Sequence, residues 1–212
     1  MKLYGYFRSS AAYRVRIALN VKGIAVEHVP MHLVRDGGQH RNADYLTLNP
    51  QGLVPALELD DGSVLTQSIA IIEYLDTLAQ SPRLIPDNPV QAAKVRAVAQ
   101  TIACEIHPLN NLRVLNYLKG VLRQPQDAVD IWVKHWMLNG GLEAVEALLP
   151  GTAFCFGGTP TMADCCLIPQ LFNARRFKIS YAHLPKICRV EKNCAEIEAF
   201  VDAHPSRQSD AE

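Results

Sequence analysis

The stretch at residues 80–89 divides this chain into two unlike halves. Pro82, Pro86 and Pro89 break helical periodicity there, so it reads as a linker and not as part of either neighbour. Residues 1–79 alternate strand and helix, whereas from Val90 onward the pattern is helical throughout. The expected architecture is therefore an α/β domain over residues 1–81 followed by an all-α helical bundle domain over residues 88–212. With 212 residues, 49% of them hydrophobic, the chain can give a core to one large domain or to two small ones.

In the first half, Lys2 to Phe7 reads as a strand and Ala11 to Val21 as a helix with Val15, Ala18 and Leu19 on one face. That helix stops near Lys22-Gly23, where glycine suits the left-handed position after a helix end. Val26 to Val29 reads as a second strand and Asn42 to Thr47 as a helical turn. Ala56 to Leu59 and Ser63 to Thr66 form a hairpin around Asp60-Asp61-Gly62, and Ile69 to Leu78 is an amphipathic helix with Ser68 as its cap. The order is βαβ, a helical turn, then ββα.

Ser9 and Ser10 fall at the start of the first helix. Unpaired backbone donors and the positive end of the helix dipole meet at such a terminus and stabilise an anion, a thiolate among them. A free thiol with a pKa of about 8.5 is only a few per cent ionised at neutral pH, so lowering it by one to two units would suffice for nucleophilic attack. Capping the helix is the simpler use of either serine.

In the second half, helical segments near 90–119, 126–148, 161–173 and 185–203 alternate with breaks at Pro125, Pro150-Gly151, Gly157-Gly158 and Pro185, and a polar tail after His204 is expected to be loose. Thr161-Met162-Ala163-Asp164 reads as a capping box in which Asp164 has a structural and not a catalytic role. Lys and Arg total 21, as do Asp and Glu, so the charge balance favours neither nucleic acid nor an anionic membrane. No apolar run approaches the roughly 18 to 20 residues of a membrane span. The six cysteines show neither C-x-x-C nor metal-ligand spacing, which fits a reducing, cytoplasmic compartment and no metal. Adjacent Cys165 and Cys166 read as buried small apolar residues.

Several segments together carry a resemblance: Phe7-Arg8-Ser9-Ser10 with Arg14-Val15-Arg16-Ile17-Ala18-Leu19, then Asn49-Pro50-Gln51-Gly52-Leu53-Val54-Pro55, Gln67-Ser68, and Ile106-His107-Pro108-Leu109-Asn110-Asn111. They resemble the zeta class of the soluble glutathione transferases over essentially the whole chain. The resemblance implies a thioredoxin-like first domain, glutathione as cofactor and a homodimer. It implies Ser9 and Ser10 at the sulfur, and Gln67 and Ser68 on the glutamyl carboxylate. Val54, before a cis proline, would pair its peptide groups with the cofactor backbone, and Gln51 would reach the cysteinyl-glycine portion or stay solvated. His107 and Asn111 would approach from the helical domain, unless the kink at Pro108 simply packs the histidine.

The implied reaction is glutathione-dependent cis–trans isomerisation of a maleyl diketo acid, maleylacetoacetate to fumarylacetoacetate, by thiolate addition, bond rotation and elimination. Maleylpyruvate is the alternative substrate; a general conjugating transferase or peroxidase and a non-catalytic scaffold are the alternative roles. A dianionic diketo acid needs cations, and the planar fork of arginine suits carboxylates. Arg8 is the leading candidate, in catalysis as in binding, followed by Arg113 and, at the end of the helix from Thr161, Arg176 ahead of Arg175. One departure matters: the class usually reads Ser-Ser-Cys, whereas this chain has Ala11 in place of the cysteine.

Overall fold

The computed structural model describes residues 1–79 and 81–212; Gln80, where the expected linker begins, lies outside the described residues. Packing divides the chain into one unit of Met1–Leu84 with Ala195–Glu212 and another of Ile85–Cys194. The expected helical domain of 88–212 thus ends early, because the last segment is bonded to the first helix. Asn20 Nδ2 donates to the Ala199 carbonyl at 3.0 Å and Arg16 Nε to the Ala203 carbonyl at 3.1 Å.

The first unit holds a four-stranded sheet in the order β2-β1-β3-β4, with β1 at Lys2–Gly5, β2 at Glu27–Pro30, β3 at Ala56–Glu58 and β4 at Val64–Thr66. β1 runs parallel to β2 and antiparallel to β3, and β3 and β4 form the expected hairpin. β1 stops at Gly5, short of Phe7, because the chain turns at once: the Ser9 N–H donates to the Tyr6 carbonyl at 2.9 Å. Helices α1 (Ser10–Lys22), α2 (Ala43–Leu48) and α3 (Ser68–Leu78) complete the expected order, and two unexpected 3₁₀ turns occupy Arg35–Gly37 and Gln39–Arg41. Gly23 ends α1 at φ 64° with its N–H on the Asn20 carbonyl, a left-handed cap that glycine adopts without a Cβ penalty.

The stripe of apolar residues on α1 is only half of its burial. Arg14, Arg16 and Lys22 are buried as well, so no side of the helix is a solvated polar face. Each buried cation meets oxygen: Arg14 the Ser68 hydroxyl, Arg16 the Tyr6, Phe7 and Ala203 carbonyls, and Lys22 the Asp76 carboxylate at 2.9 Å. Burial pulls the Arg16 guanidinium down to about 10. Leu3, Leu57, Ile71, Ile72 and Leu75 are fully buried, and at about 1.5–3 kcal/mol each such apolar burial outweighs the helix propensity of α1 and α3.

In the second unit, α4 (Pro89–Gln100) passes into a π-helical turn at Thr101–Ile106 and a 3₁₀ turn at Pro108–Asn110 before α5 (Leu112–Gly120). The expected single helix over 90–119 is broken because Pro108 has no N–H to continue the ladder and extended Asn111 restarts it. The expected helical segment 126–148 is continuous, α6 (Gln126–Lys134) passing through a π-helical turn at His135–Leu142 into α7 (Glu143–Leu148). The two wide turns pack closely, and a Cβ on Gly141 would stand 2.9 Å from Ile106. α8 runs over Met162–Arg176, beyond the expected 173; α9 (Pro185–Ala195) and α10 (Glu198–Asp202) are separated by extended Ile197. Among the described residues no helix is long and apolar enough to cross a membrane.

The tail after His204 is not loose. Pro205–Arg207 forms a 3₁₀ turn, Gln208 Nε2 donates to the Asp202 and His204 carbonyls, and Asp210 accepts the Phe7 N–H at 3.0 Å. Its polar side chains serve as anchors, which polarity alone does not reveal.

Candidate active site

Ser9 is the N-cap of α1, and its Oγ accepts the Ala12 N–H at 3.2 Å. Because that bond uses a lone pair, the hydroxyl proton of Ser9 stays available to an external acceptor. Ser10 occupies the first turn, 3% exposed, with an Oγ that has no hydrogen-bond partner among the described residues. The first turn carries no acidic side chain that would answer the helix dipole from within. The spare Ser9 hydroxyl proton and the backbone donors of a helix start therefore suit an anion at this terminus, while the Ser10 Oγ is buried within the fold. Ala11 stands in the same turn, half-buried, and offers no thiol.

A second helix start lies at Gln67-Ser68. Ser68 is the first residue of α3 and not its cap; the cap position belongs to Gln67, at φ 68° and ψ 116°, which makes no capping bond with its side chain. The expected cap is overturned because the Ser68 hydroxyl is engaged elsewhere, accepting from Arg14 Nη1 at 3.2 Å. A left-handed φ at a residue with a Cβ costs on the order of 1–3 kcal/mol and persists where the surroundings over-determine it. Here the Gln67 amide is held by Gln51, Nε2 to Oε1 at 2.8 Å. The Val54-Pro55 peptide is cis, and Val54 lies just outside the strand ladder, which begins at Ala56.

These pieces close a ring within the first unit. Phe7 and Val54 share one apolar cluster with Tyr6, Tyr45 and Ala56. From Val54 the chain leads back to Gln51, across to Gln67, on to Ser68, and through Arg14 to α1 and its serines. Arg8 stands beside the serines with its guanidinium 4.7 Å from the Phe7 ring centroid and its Nη2 3.8 Å from a Glu212 oxygen. Arg14 was not among the expected site residues. Arg14 and Arg16, flanking Val15, signal cations on an apolar helix, but their partners are set by distant segments: α3 supplies the Ser68 hydroxyl to Arg14, and the β1–α1 loop and Ala203 supply carbonyls to Arg16.

The other expected residues belong to the second unit. His107 is half-buried after the Thr101–Ile106 turn, its N–H on the Ile102 carbonyl at 2.9 Å. Asn111 caps α5, its Oδ1 accepting the N–H of exposed Arg113 at 3.1 Å. Arg176, at the end of α8, donates to Asn173 at 3.1 Å and lies 6.0 Å from the Phe177 ring centroid. Its neighbour Arg175 is instead taken up by the Tyr181 hydroxyl and the Glu191 carboxylate. Asp164 is wholly buried and structural: it accepts from the Thr161 N–H and hydroxyl and from the Cys155 N–H at 2.7–2.8 Å. Burial pushes its carboxyl up, against those bonds, and also pushes up the Cys165 thiol. Among the described residues no cluster of His, Cys, Asp or Glu is placed to hold a metal.

Comparison with known proteins adds to this geometry. Residues 8–78 match the model of the glutathione S-transferase N-terminal domain and residues 127–202 that of the C-terminal domain. Over 210 residues the chain is 47% identical to the maleylacetoacetate isomerase of Pseudomonas aeruginosa, spanning 99% of this chain and 98% of that protein. A solved holo maleylpyruvate isomerase, described as a bacterial zeta-class glutathione S-transferase, superposes with a TM-score of 0.94 at 41% identity, with all of both chains covered. The maleylacetoacetate isomerase of Anaeromyxobacter dehalogenans, solved with dicarboxyethyl glutathione and citrate in its active site, gives a TM-score of 0.87 at 35% identity, covering 100% of this chain and 93% of that one.

Proposed function

The chain belongs to the zeta class of the glutathione S-transferase family, and we propose that it catalyses the glutathione-dependent cis–trans isomerisation of maleylacetoacetate to fumarylacetoacetate. The observation that carries this reading is the ring joining the Ser9-Ser10 helix start to Val54, Gln51, Gln67 and Ser68. The residues present fit glutathione: a buried orphan hydroxyl on Ser10, a spare proton on Ser9, a second helix start at Ser68, and unladdered backbone at Val54. When bound, glutathione supplies the thiolate that adds to the cis double bond and leaves after rotation.

The chain's own groups divide the remaining work. Ser9 and Ser10 donate toward sulfur and, with the α1 N-terminus, favour its ionised form. Gln67 and the α3 N-terminus hold a carboxylate of the cofactor, Gln51 orients Gln67, and Val54 offers backbone donor and acceptor. His107 and Asn111 are further cofactor contacts in this reading. Arg8, steadied over the Phe7 ring, binds a substrate carboxylate and stabilises charge developing on the substrate oxygen. Arg113 and Arg176 are the further cations for a dianion. The missing cysteine thiol at Ala11 leaves the chemistry to the hydroxyls. Six free cysteines, four of them buried, support a cytoplasmic setting, and family membership supports a homodimer.

Maleylpyruvate is the second substrate to test, because a structure at 41% identity carries that activity in its name. Turnover of both diketo acids, each with and without glutathione, is the direct measurement. Glutathione-dependent isomerisation of either supports the reading and ranks the substrates. Turnover of a neutral electrophile alone would replace it with a conjugating transferase.

A further inference from the structure

The segment Ser209–Glu212 lies along the loop between β1 and α1. Asp210 Oδ2 accepts the Phe7 N–H at 3.0 Å, the Ala211 N–H donates to the Gln208 carbonyl at 3.0 Å, and buried Arg16 joins the Phe7 and Ala203 carbonyls. From this anchor the Glu212 side chain reaches three nitrogen groups: Arg8 Nη2 at 3.8 Å, His32 Nε2 at 3.5 Å, and Arg35 Nη2 in direct contact.

The histidine is preset for this contact. His32 Nδ1 accepts the N–H groups of Val34 at 3.1 Å and Arg35 at 2.8 Å, so the neutral ring carries its proton on Nε2, which faces Glu212 and the Tyr6 hydroxyl, each at 3.5 Å. Two guanidinium groups and an imidazole N–H thus converge on one carboxylate. Beside them lies a cavity of about 380 Å³, lined by Pro30, His32, Arg35, Gln39 and residues 209–212. That volume falls in the range of small-molecule sites.

Side-chain exposure decides how tightly the cradle is held. Arg8 is 41% exposed, Arg35 64% and Glu212 37%, and ion pairs at such exposure are weak enough to exchange. The tether adds an effective concentration in the millimolar range, which an external ligand must match. We propose that Arg8, His32 and Arg35 form a binding site for a small organic carboxylate dianion, filled here by Glu212, so that the 209–212 segment closes the site until such a ligand displaces it. The site shares Arg8 with the proposed isomerase and rests on that reading at this one residue.

The test is calorimetric titration of maleate, as probe, into the full chain and into Glu212→Gln. Arg35→Ala in the Glu212→Gln background is measured in parallel, and glutathione affinity and isomerase turnover are recorded for all three. Glu212→Gln is expected to bind maleate five- to tenfold more tightly than the parent, at unchanged glutathione affinity, and the added Arg35→Ala to cancel the gain. On adding maleate to the parent, amide exchange in residues 209–212 should quicken at least severalfold. An unchanged maleate Kd in Glu212→Gln, absent maleate binding, a gain that survives Arg35→Ala, or unaltered exchange overturns the proposal. Because maleate binding needs no turnover, a chain that binds as expected but lacks glutathione-dependent isomerisation loses the isomerase reading and keeps the carboxylate site.

Discussion

The starts of α1 and α8 are both built from hydroxyl residues, and they are finished in opposite ways. At α8, Thr161 and Asp164 answer each other, and the Asp164 carboxylate also takes the Cys155 N–H, so the buried groups are closed on themselves. At α1, Ser9 makes one bond to Ala12, Ser10 makes none among the described residues, and no acidic side chain follows. A closed cap contributes to stability and excludes ligands. An open one leaves donors that a ligand can use, at the cost of a buried hydroxyl without a partner.

Substitution at α8 should bring the largest effect. Asp164→Ala removes the acceptor of two backbone N–H groups in a buried site and is expected to lower stability by about 3 kcal/mol, read from urea midpoints. A loss under 1 kcal/mol would mean that water replaces the carboxylate and that this start is as open as the other. At α1, Ser9→Ala should cost about 1 kcal/mol as a lost cap and reduce isomerase turnover on the order of a hundredfold. The ultraviolet titration of the bound thiolate should move to higher pH at the same time. Ser10→Ala should leave stability unchanged or raise it by up to about 1 kcal/mol, because an unsatisfied polar atom is removed. If Ser10→Ala destabilises more than Ser9→Ala, the two hydroxyls have exchanged roles.

The smallest effect sharpens the contrast between a buried carboxyl and an exposed one. The Tyr4 hydroxyl donates to Glu58 at 2.6 Å, and this bond, ahead of Lys2, holds the Glu58 carboxyl below its ordinary value and pushes the Tyr4 hydroxyl up to about 12. The folded chain then binds fewer protons at Glu58 than the unfolded chain does. Stability from this pair is present above about pH 4.5 and is lost as pH falls through the depressed folded value. Tyr4→Phe should therefore flatten the fall in urea midpoint between pH 5 and pH 3. Asp164, raised by burial, works in the opposite sense: its protonated form is favoured in the fold, so acid does not remove stability through it.

Much of the fold could be read from local chemistry. Period-2 and period-3.6 patterns located the four strands and most helices, Asp60-Asp61-Gly62 located the hairpin, Gly23 ended α1, and Thr161 to Asp164 marked a capped start. Misses came where a residue's local role was overruled from a distance. Ser68 looked like a cap until Arg14 claimed its hydroxyl, and the tail after His204 looked loose until Asp210 took the Phe7 N–H. Of the candidate site, the positions of Arg8, Ser9, Ser10, Gln51, Val54, Gln67 and Ser68 were visible as motifs, but their closure into a ring was not.

The sequence by itself determined the order of the strands and most helices and carried the motifs of the family resemblance, because each of these depends on neighbours a few positions apart. The tertiary structure alone decided which serine keeps an unused hydroxyl, how three buried cations of α1 find oxygen, and that a polar tail docks. Phe7 meets Asp210 across 203 residues, and Arg16 meets Ala203 across 187. No local periodicity encodes such a partner; it is chosen when the packed core brings the two segments within hydrogen-bond reach.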